Sequence, residues 1–419
     1  MSDEHHTWKI GSEPPIIRPH SLAKHRVLRA YLERYVATLT KNPRQDVFRL
    51  TLVDGFAGGG KYTDSRSGDE RPGSPIIMLE AMERAAEIAQ QTRSKPFNLD
   101  VNYIYIEKNP EALEHLRAVL NASKYAGLLG NQIRLLDGEF VALAPNIIKL
   151  VKGRGRAGRV IFVLDQCGYT DVPFPTLRSI LHTLPNAEVI LTFATDFLID
   201  YLSEHAQTQR TAEKVGLSMP PSLIRTAKEA RNWRRIIQFS LHEQIPHQTG
   251  AKFYTPFFIR SADSHRDFWL IHLSGHYRAR DVMVGLHWEQ STDFAHYGRS
   301  GLNMLGYDER RDVNLTSQKM LPGFYFDDTA FASSHDALLD QLPEKLYDLS
   351  DGMPFGELFS ALTNECPVTA EIMKNVLGDL SKEGIVEVRD KTATTTRRVG
   401  VQHDTDIIIP SRQKRLFLP

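Results

Sequence analysis

The sequence predicts an α/β protein: a parallel sheet wound with helices, a helical insert after its fifth strand, and a small C-terminal winged helix. Three observations predict it. Apolar periodicity switches repeatedly between strand-like and helix-like along residues 21–194. Four of the strand-like runs end on an acid, Asp54, Glu107, Asp137 and Asp165. Beyond Ser350, a helix–turn–helix spacing precedes a hairpin-like stretch.

The first helix is expected over Ser21–Leu39. Leu22, Val27, Leu28, Tyr31, Leu32, Tyr35 and Val36 form its apolar stripe, and Lys24, Arg26, Arg29, Glu33 and Arg34 lie elsewhere. Strand-like runs follow near 48–55, 99–107, 132–138, 159–165 and 187–194. Helical patterns separate them: SPIIMLEAMERAAEIAQQ, NPEALEHLRAVLN, VALAPNIIKLVKG and PFPTLRSILHTL. Such alternation implies right-handed crossovers and a site at the carboxyl ends of the strands. The domain expectation is an N-terminal helical cap at 1–45, a catalytic-type domain at 46–330 with a helical insert near 197–250, and the winged helix at 345–405.

Composition narrows the function classes. The chain has 419 residues, and its 51 Lys and Arg balance 51 Asp and Glu, so any basic surface for nucleic acid must be local. Cys167 and Cys366 are far apart and lack metal-ligand spacing, so no metal is expected. The polar start MSDEHHTWKI and the absence of an apolar run near the roughly 20 residues of a membrane span point to a cytoplasmic protein.

The stretch LTLVDGFAGGGKY at 50–62 carries the chemistry. A phosphate-binding loop of the triphosphate type requires G-x-x-x-x-G-K-[ST]. Gly55, Gly60 and Lys61 fit, but Tyr62 stands where the magnesium ligand belongs. A dinucleotide loop requires G-x-G-x-x-G with its acid about 20 residues beyond; Thr63 breaks the pattern and Glu107 lies much further on. S-adenosylmethionine remains: it has no phosphate, so the loop need only approach its amino-acid part. Asp54 is placed to orient groups around the methionine ammonium, and Glu107, ending the second strand, to accept hydrogen bonds from the ribose hydroxyls. Each acid alone is as readily a helix cap or turn former.

These residues carry a resemblance. D-G-F-A-G-x-G after an apolar strand resembles motif I of class I S-adenosylmethionine-dependent methyltransferases, which have a Rossmann-like sheet. More narrowly, KHRVLRAYL (24–32), VDGFAGGGKY (53–62), GSPIIMLEA (73–81), IYIEKNPEALEHL (104–116), LDQCGYTDVPFPTLRSIL (164–181) and FWLIHLSGHYRARDVMVGLHWE (268–289) resemble the bacterial three-Cys-motif partner family. The resemblance implies a cofactor site of Asp54, Gly55, Phe56, Ala57, Gly58, Gly60, Glu107 and Lys108, with Asp137 near the adenine and Lys24 and His25 closing the methionine end. It also implies a partner, a radical-type iron–sulfur protein with three cysteines.

The acceptor end departs from pattern. Methyltransferases of exocyclic amino groups place [DNS]-P-P-[YFW] after the fourth strand, where the aromatic stacks on a flipped base. Members of the resembled family read Asp-Pro-Phe-Gly-aromatic there, whereas this chain reads Asp165-Gln166-Cys167-Gly168-Tyr169. Asp165, Gln166 and Tyr169 are the candidate catalytic residues. Cys167 is expected to be a small buried thiol rather than a nucleophile of the cytosine-C5 kind.

Two further regions bear on substrate. Arg225, Lys228, Arg231, Arg234 and Arg235 with Trp233 form a basic, aromatic-bearing helix suited either to phosphates and a base or to plain solvation. KGRGRAGR at 152–159 is expected as a surface loop. In the winged helix, Thr369 begins the second helix and Gly384 stops it, Arg389, Lys391, Arg397 and Arg398 charge the wing, and acids in the recognition helix offset its bases. The expected function is S-adenosylmethionine-dependent methylation of DNA or RNA. The alternative is a catalytically degenerate binding or regulatory module acting through the winged helix.

Overall fold

Parallel strands covered on both faces are apolar almost throughout, and FRLTLVD is such a strand, with Leu50, Leu52 and Val53 fully buried. It is the centre of the first of two compact units, 1–282 and 283–419. The structure is a computed structural model and describes residues 8–155, 158–194, 206–218, 220, 222, 224–225, 233–260, 267–289, 295–296, 300–302, 324–347, 349, 351–397 and 400–411.

In chain order the first unit contains β1 (Ile16–Ile17), α1 (Pro19–Leu39), β2 (Val47–Asp54), β3 (Lys61–Asp64), β4 (Glu70–Pro72), α2 (Ser74–Gln91), β5 (Asn98–Glu107), α3 (Pro110–Asn121), β6 (Ile133–Asp137), α4 (Phe140–Gly153), β7 (Arg159–Asp165), α5 (Phe174–Thr183) and β8 (Ala187–Phe193). The insert helices Ala206–Val215 and Trp233–Thr249 precede β9 (Phe253–Arg260) and β10 (Asp267–Ser274). The central strands run β6-β5-β2-β7-β8-β10-β9. Five are parallel, and β10 lies antiparallel to both β8 and β9. This is the Rossmann-like, class I methyltransferase sheet expected from the sequence, with the helical insert between β8 and β9. The order reverses between β2 and β7, which opens a crevice at their carboxyl ends.

Helices form where their signals predicted. Asn109 caps α3, its side-chain oxygen accepting the amides of Glu111 at 3.0 Å and Ala112 at 3.5 Å, and Pro110 supplies a preset φ at the first position. α1 packs on α2, and Ala23, Val27, Leu28, Tyr31, Leu32, Tyr35 and Val36 are its buried residues. α4 packs on α5, and α5 on the helix Trp233–Thr249. The segment 152–159 differs from expectation at Arg154. Its guanidinium donates to the Leu50 carbonyl at 2.8 Å and to Asp100 at 2.7 Å, so this arginine ties strand starts together instead of lying in solvent. A second departure is a small sheet, β1-β3-β4, formed directly after the glycine loop. Its strands are two to four residues long, too short for a periodic signal.

The second unit contains the winged helix. The helix Asp328–Leu346 packs on Ala370–Lys382, and the strands Met353–Pro354, Ile407–Pro410 and Val386–Arg389 form its sheet. Thr369 caps the helix Ala370–Lys382 by accepting the Ile372 amide, and Gly384 ends it at φ +69°. Two of the four wing charges are committed: Arg389 binds Glu387 at 2.7 Å, and Arg397 binds the fully buried Asp406 at 3.1 Å. Lys391 is exposed, and Arg398 lies outside the described residues.

One polar cluster lies inside the first unit. The Tyr31 hydroxyl of α1 donates to Glu188 of β8, and His272 Nε2 of β10 lies 3.1 Å from both. All three are buried, so each depends on the others for hydrogen bonding. Glu188→Ala is expected to strand the tyrosine and histidine and to lower unfolding free energy by about 3 kcal/mol in urea titration. Tyr31→Phe, which leaves the histidine–glutamate contact, is expected to cost about 1 kcal/mol.

Candidate functional site

The crevice is built on a close approach of two backbones. Gly55 donates to the Val163 carbonyl at 2.9 Å, and a Cβ on Gly55 would meet Leu164 at 2.6 Å and Phe140 at 3.1 Å. The loop then turns over the end of β5: the Ala57 amide donates to Ile106, and the Gly58 amide to Glu107 Oε2 at 2.8 Å. Gly58 and Gly60 take φ of +58° and +82°, the left-handed region. Glu107 Oε1 accepts the Asn109 amide at 2.9 Å, so one carboxylate joins the loop to the start of α3. Each of its oxygens keeps a second acceptor site, and the residue is half-buried.

Asp54 is fully buried at the end of β2, and its Oδ1 accepts the Phe56 amide at 3.1 Å. Burial pushes its carboxyl up to about 7; Ser74 and the Phe56 amide oppose this, and Asp165 and Glu107 add to it. Oδ2 has no partner of hydrogen-bonding geometry. A cationic group would satisfy that oxygen and draw the proton off. Asp137 stands opposite Glu107 in the β5–β6 register and is exposed, as is Lys108, while Phe56 is half-buried. The acceptor set fits the amino-acid and ribose ends of S-adenosylmethionine: a buried carboxylate with a spare oxygen, and a half-buried acid one strand away.

The carboxyl end of β7, the candidate acceptor end, is organised by an ion pair. Lys24 Nζ of α1 lies 2.5 Å and 2.7 Å from the two oxygens of Asp165 at the end of β7. The lysine is 12% and the aspartate 32% exposed, so the pair is shielded but open on one side. Burial pushes the Asp165 carboxyl up, but Lys24, Thr192 and His25 outweigh it and hold the group below the usual carboxylate range. Lys24 therefore reaches from the first helix to the end of β7. Burial pushes His25 down to about 4, against the pull of Asp165, so it is neutral at physiological pH. Burial likewise pushes the Tyr62 phenol up, with Asp165, Asp54, Cys167 and Glu107 acting in the same sense.

After β7 the candidate residues part company. Gln166 is buried, and its Oε1 accepts the amides of Asp171 and Val172, both at 3.1 Å, so it braces the loop from within. Tyr169 is half-buried, with its ring edge-on to Phe193 at 6.2 Å. Cys167 corrects the expectation of a buried thiol: it is exposed, in the loop after β7, beside Gln166, which the Asp171 and Val172 amides hold inward. Cys366 is the buried thiol. The side chains of Lys228, Arg231, Trp233, Arg234 and Arg235 lie outside the described residues; Arg225 is exposed.

Sequence reasoning missed Trp8. It is buried, donates from Nε1 to the Lys61 carbonyl at 2.8 Å, and meets Tyr62 edge-on at 5.4 Å. The only signal was a lone tryptophan in a polar segment.

A family model described as a GMT-like wHTH domain matches residues 306–393, about a fifth of the chain. No curated protein matches it. Among solved structures, it is similar to protein LPL1258 from Legionella pneumophila at 10% identity, covering 62% of this chain and 90% of that one with a TM-score of 0.32. It is similar to a SAM-dependent methyltransferase from Agrobacterium tumefaciens at 11% identity, covering 62% and 63%, TM-score 0.31. It is also similar to Aeropyrum pernix fibrillarin, solved with natively bound S-adenosyl-L-methionine, at 9% identity, covering 59% and 76%, TM-score 0.26. These superpositions are loose, and the fold class rests on strand order.

Asp54 sets a pH signature. Its folded pKa near 7 exceeds its unfolded value of 3.8, so between these the native state holds a proton the unfolded chain has lost. Stability therefore falls as pH rises through this window. Asp54→Asn removes that loss. In urea titrations from about pH 4 to about pH 8, the variant is expected to gain a few kcal/mol on the wild type across the window and to level off above it.

Proposed function

We propose that the chain is an S-adenosylmethionine-dependent methyltransferase acting on nucleic acid. The observation that carries this is the crevice where strand order reverses, in which Asp54, the Gly55–Gly60 loop and Glu107 converge. When bound there, the cofactor supplies an electrophilic methyl group. Asp54 orients the ammonium end, Glu107 accepts from the ribose hydroxyls, and Asp137 and Lys108 border the adenine end. Tyr169 offers an aromatic edge to a base, and Asp165, held by Lys24, offers a fixed acceptor of hydrogen bonds. These groups bring the nucleophile into line rather than activate it chemically.

The winged helix and its matching family model support contact with DNA. Phosphate contacts would come from Lys391 and from bases outside the wing, because Arg389 and Arg397 are already paired. By resemblance, a three-Cys-motif iron–sulfur protein is the proposed partner, and 46–330 and 345–405 are the proposed functional divisions.

A second reading, a module that binds cofactor without transferring the methyl group, is favoured by one observation. Gln166 faces inward with its Oε1 on the Asp171 and Val172 amides, so the candidate acceptor end lacks one of its three polar contacts.

Calorimetry with S-adenosylmethionine tests both. Binding is expected, with Glu107→Ala weakening it about 10- to 100-fold. Because a cation at Asp54 binds the ionised form, affinity is expected to fall by about tenfold for each pH unit below about 7. Absence of binding would sink both readings. Methyl incorporation into DNA, RNA and protein then separates them: transfer by the wild type, lowered about 100-fold in Asp165→Ala, supports the enzyme. Binding without transfer supports the module.

A further inference from the structure

We propose that residues 8–17 form part of the cofactor site, with Trp8 as the residue that positions the glycine loop; the proposal rests on the S-adenosylmethionine reading above. A Cβ on Gly59 would lie 2.2 Å from Trp8 Cγ and Cδ1, and one on Gly58 2.9 Å from Cη2. The indole therefore lies directly on the backbone of both glycines and fills the space their side chains would occupy.

The segment is fastened at its other end too. Thr63 donates its amide to Pro15 at 3.0 Å and its hydroxyl to Pro14 at 3.1 Å, and β1 pairs in parallel with β3. Ile17 anchors it in the core at 2% exposed. On the opposite side the loop meets α3, where His115 Nδ1 lies 2.6 Å from the Gly59 carbonyl and Leu116 fills the space beside Gly60. The loop is thus clamped between α3 and the strap.

The clamp answers an entropic problem. Three successive glycines lose more conformational freedom on ordering than any other tripeptide, and a cofactor binding to a loose loop would bear that cost. Trp8 orders the loop beforehand, so more of the contact energy appears as affinity. It also steadies Tyr62, on whose phenol the crevice carboxylates Asp54, Glu107 and Asp165 all act. Ordering works both ways: a bound cofactor that rigidifies the loop must also tighten the seat of Trp8.

Calorimetric titration of the full chain with S-adenosylhomocysteine tests this. Trp8→Ala is expected to weaken binding by about tenfold in protein that circular dichroism shows is still folded at the titration temperature, Gly59→Ala to do the same because its methyl displaces the ring, and Trp8→Phe to recover most of the loss. Equal affinity of wild type and Trp8→Ala overturns the proposal and leaves the cofactor reading intact; no binding by the wild type overturns the cofactor reading and this proposal with it. A second measurement needs no truncation. The emission of Trp8, isolated from the chain's four tryptophans by subtracting Trp8→Phe, is expected to change in intensity with the same midpoint as the heat. Heat release with unchanged Trp8 emission overturns the proposal.

Discussion

The close approach of β2 to β7, where strand order turns back, is the constraint from which the site follows. A Gly55 amide bonded to Val163 leaves no room for a side chain, since Leu164 and Phe140 fill that space. The chain must then leave β2 upward and turn across the end of β5, which brings the Gly58 amide to Glu107. Asp54 is trapped beneath that turn, fully buried, and burial rather than any single partner governs its proton. One packing requirement thus sets the loop path, the reach of Glu107 and the charge state of Asp54.

Charge in the crevice is arranged by distance from water. Asp54 has only partial compensation, and burial raises its carboxyl to about 7; Asp165, with a lysine on both oxygens, is held below the usual carboxylate range. Two acids of the same residue type at equivalent strand ends therefore behave oppositely, because Lys24 reaches one and not the other. The pair also fastens α1 to the sheet, and further along the same helix Tyr31 reaches Glu188 and His272. α1 is the carrier of the crevice's compensating charge, Lys24.

The two units differ in how much of them could be read in advance. In the parallel sheet, β2, β5, β6, β7 and β8 fall within a residue or two of the runs the apolar pattern marked out, since strands covered on both faces tolerate few polar residues. The winged helix was legible from Thr369 and Gly384, whose capping roles are local. Its charges were not: Arg389 and Arg397 look like a basic wing in sequence, but Glu387 and the buried Asp406 take both. Exposed Cys167 and inward Gln166 were beyond reach for a similar reason, because which of two adjacent residues turns inward depends on the amides of Asp171 and Val172.

What the sequence determined by itself is whatever depends on near neighbours: the alternation of strands and helices, the caps at Asn109 and Thr369, the acids closing the strands, and the glycine loop that disfavours triphosphates and dinucleotides. What only the tertiary structure decided is which distant groups meet: Lys24 with Asp165 across 141 residues, Trp8 with Lys61 across 53, and Arg154 with Leu50 across 104. Such meetings leave no periodic or local mark in a single chain. They arise because closing the sheet brings strand ends and the first helix together, and burial then forces each polar group to find its partner there.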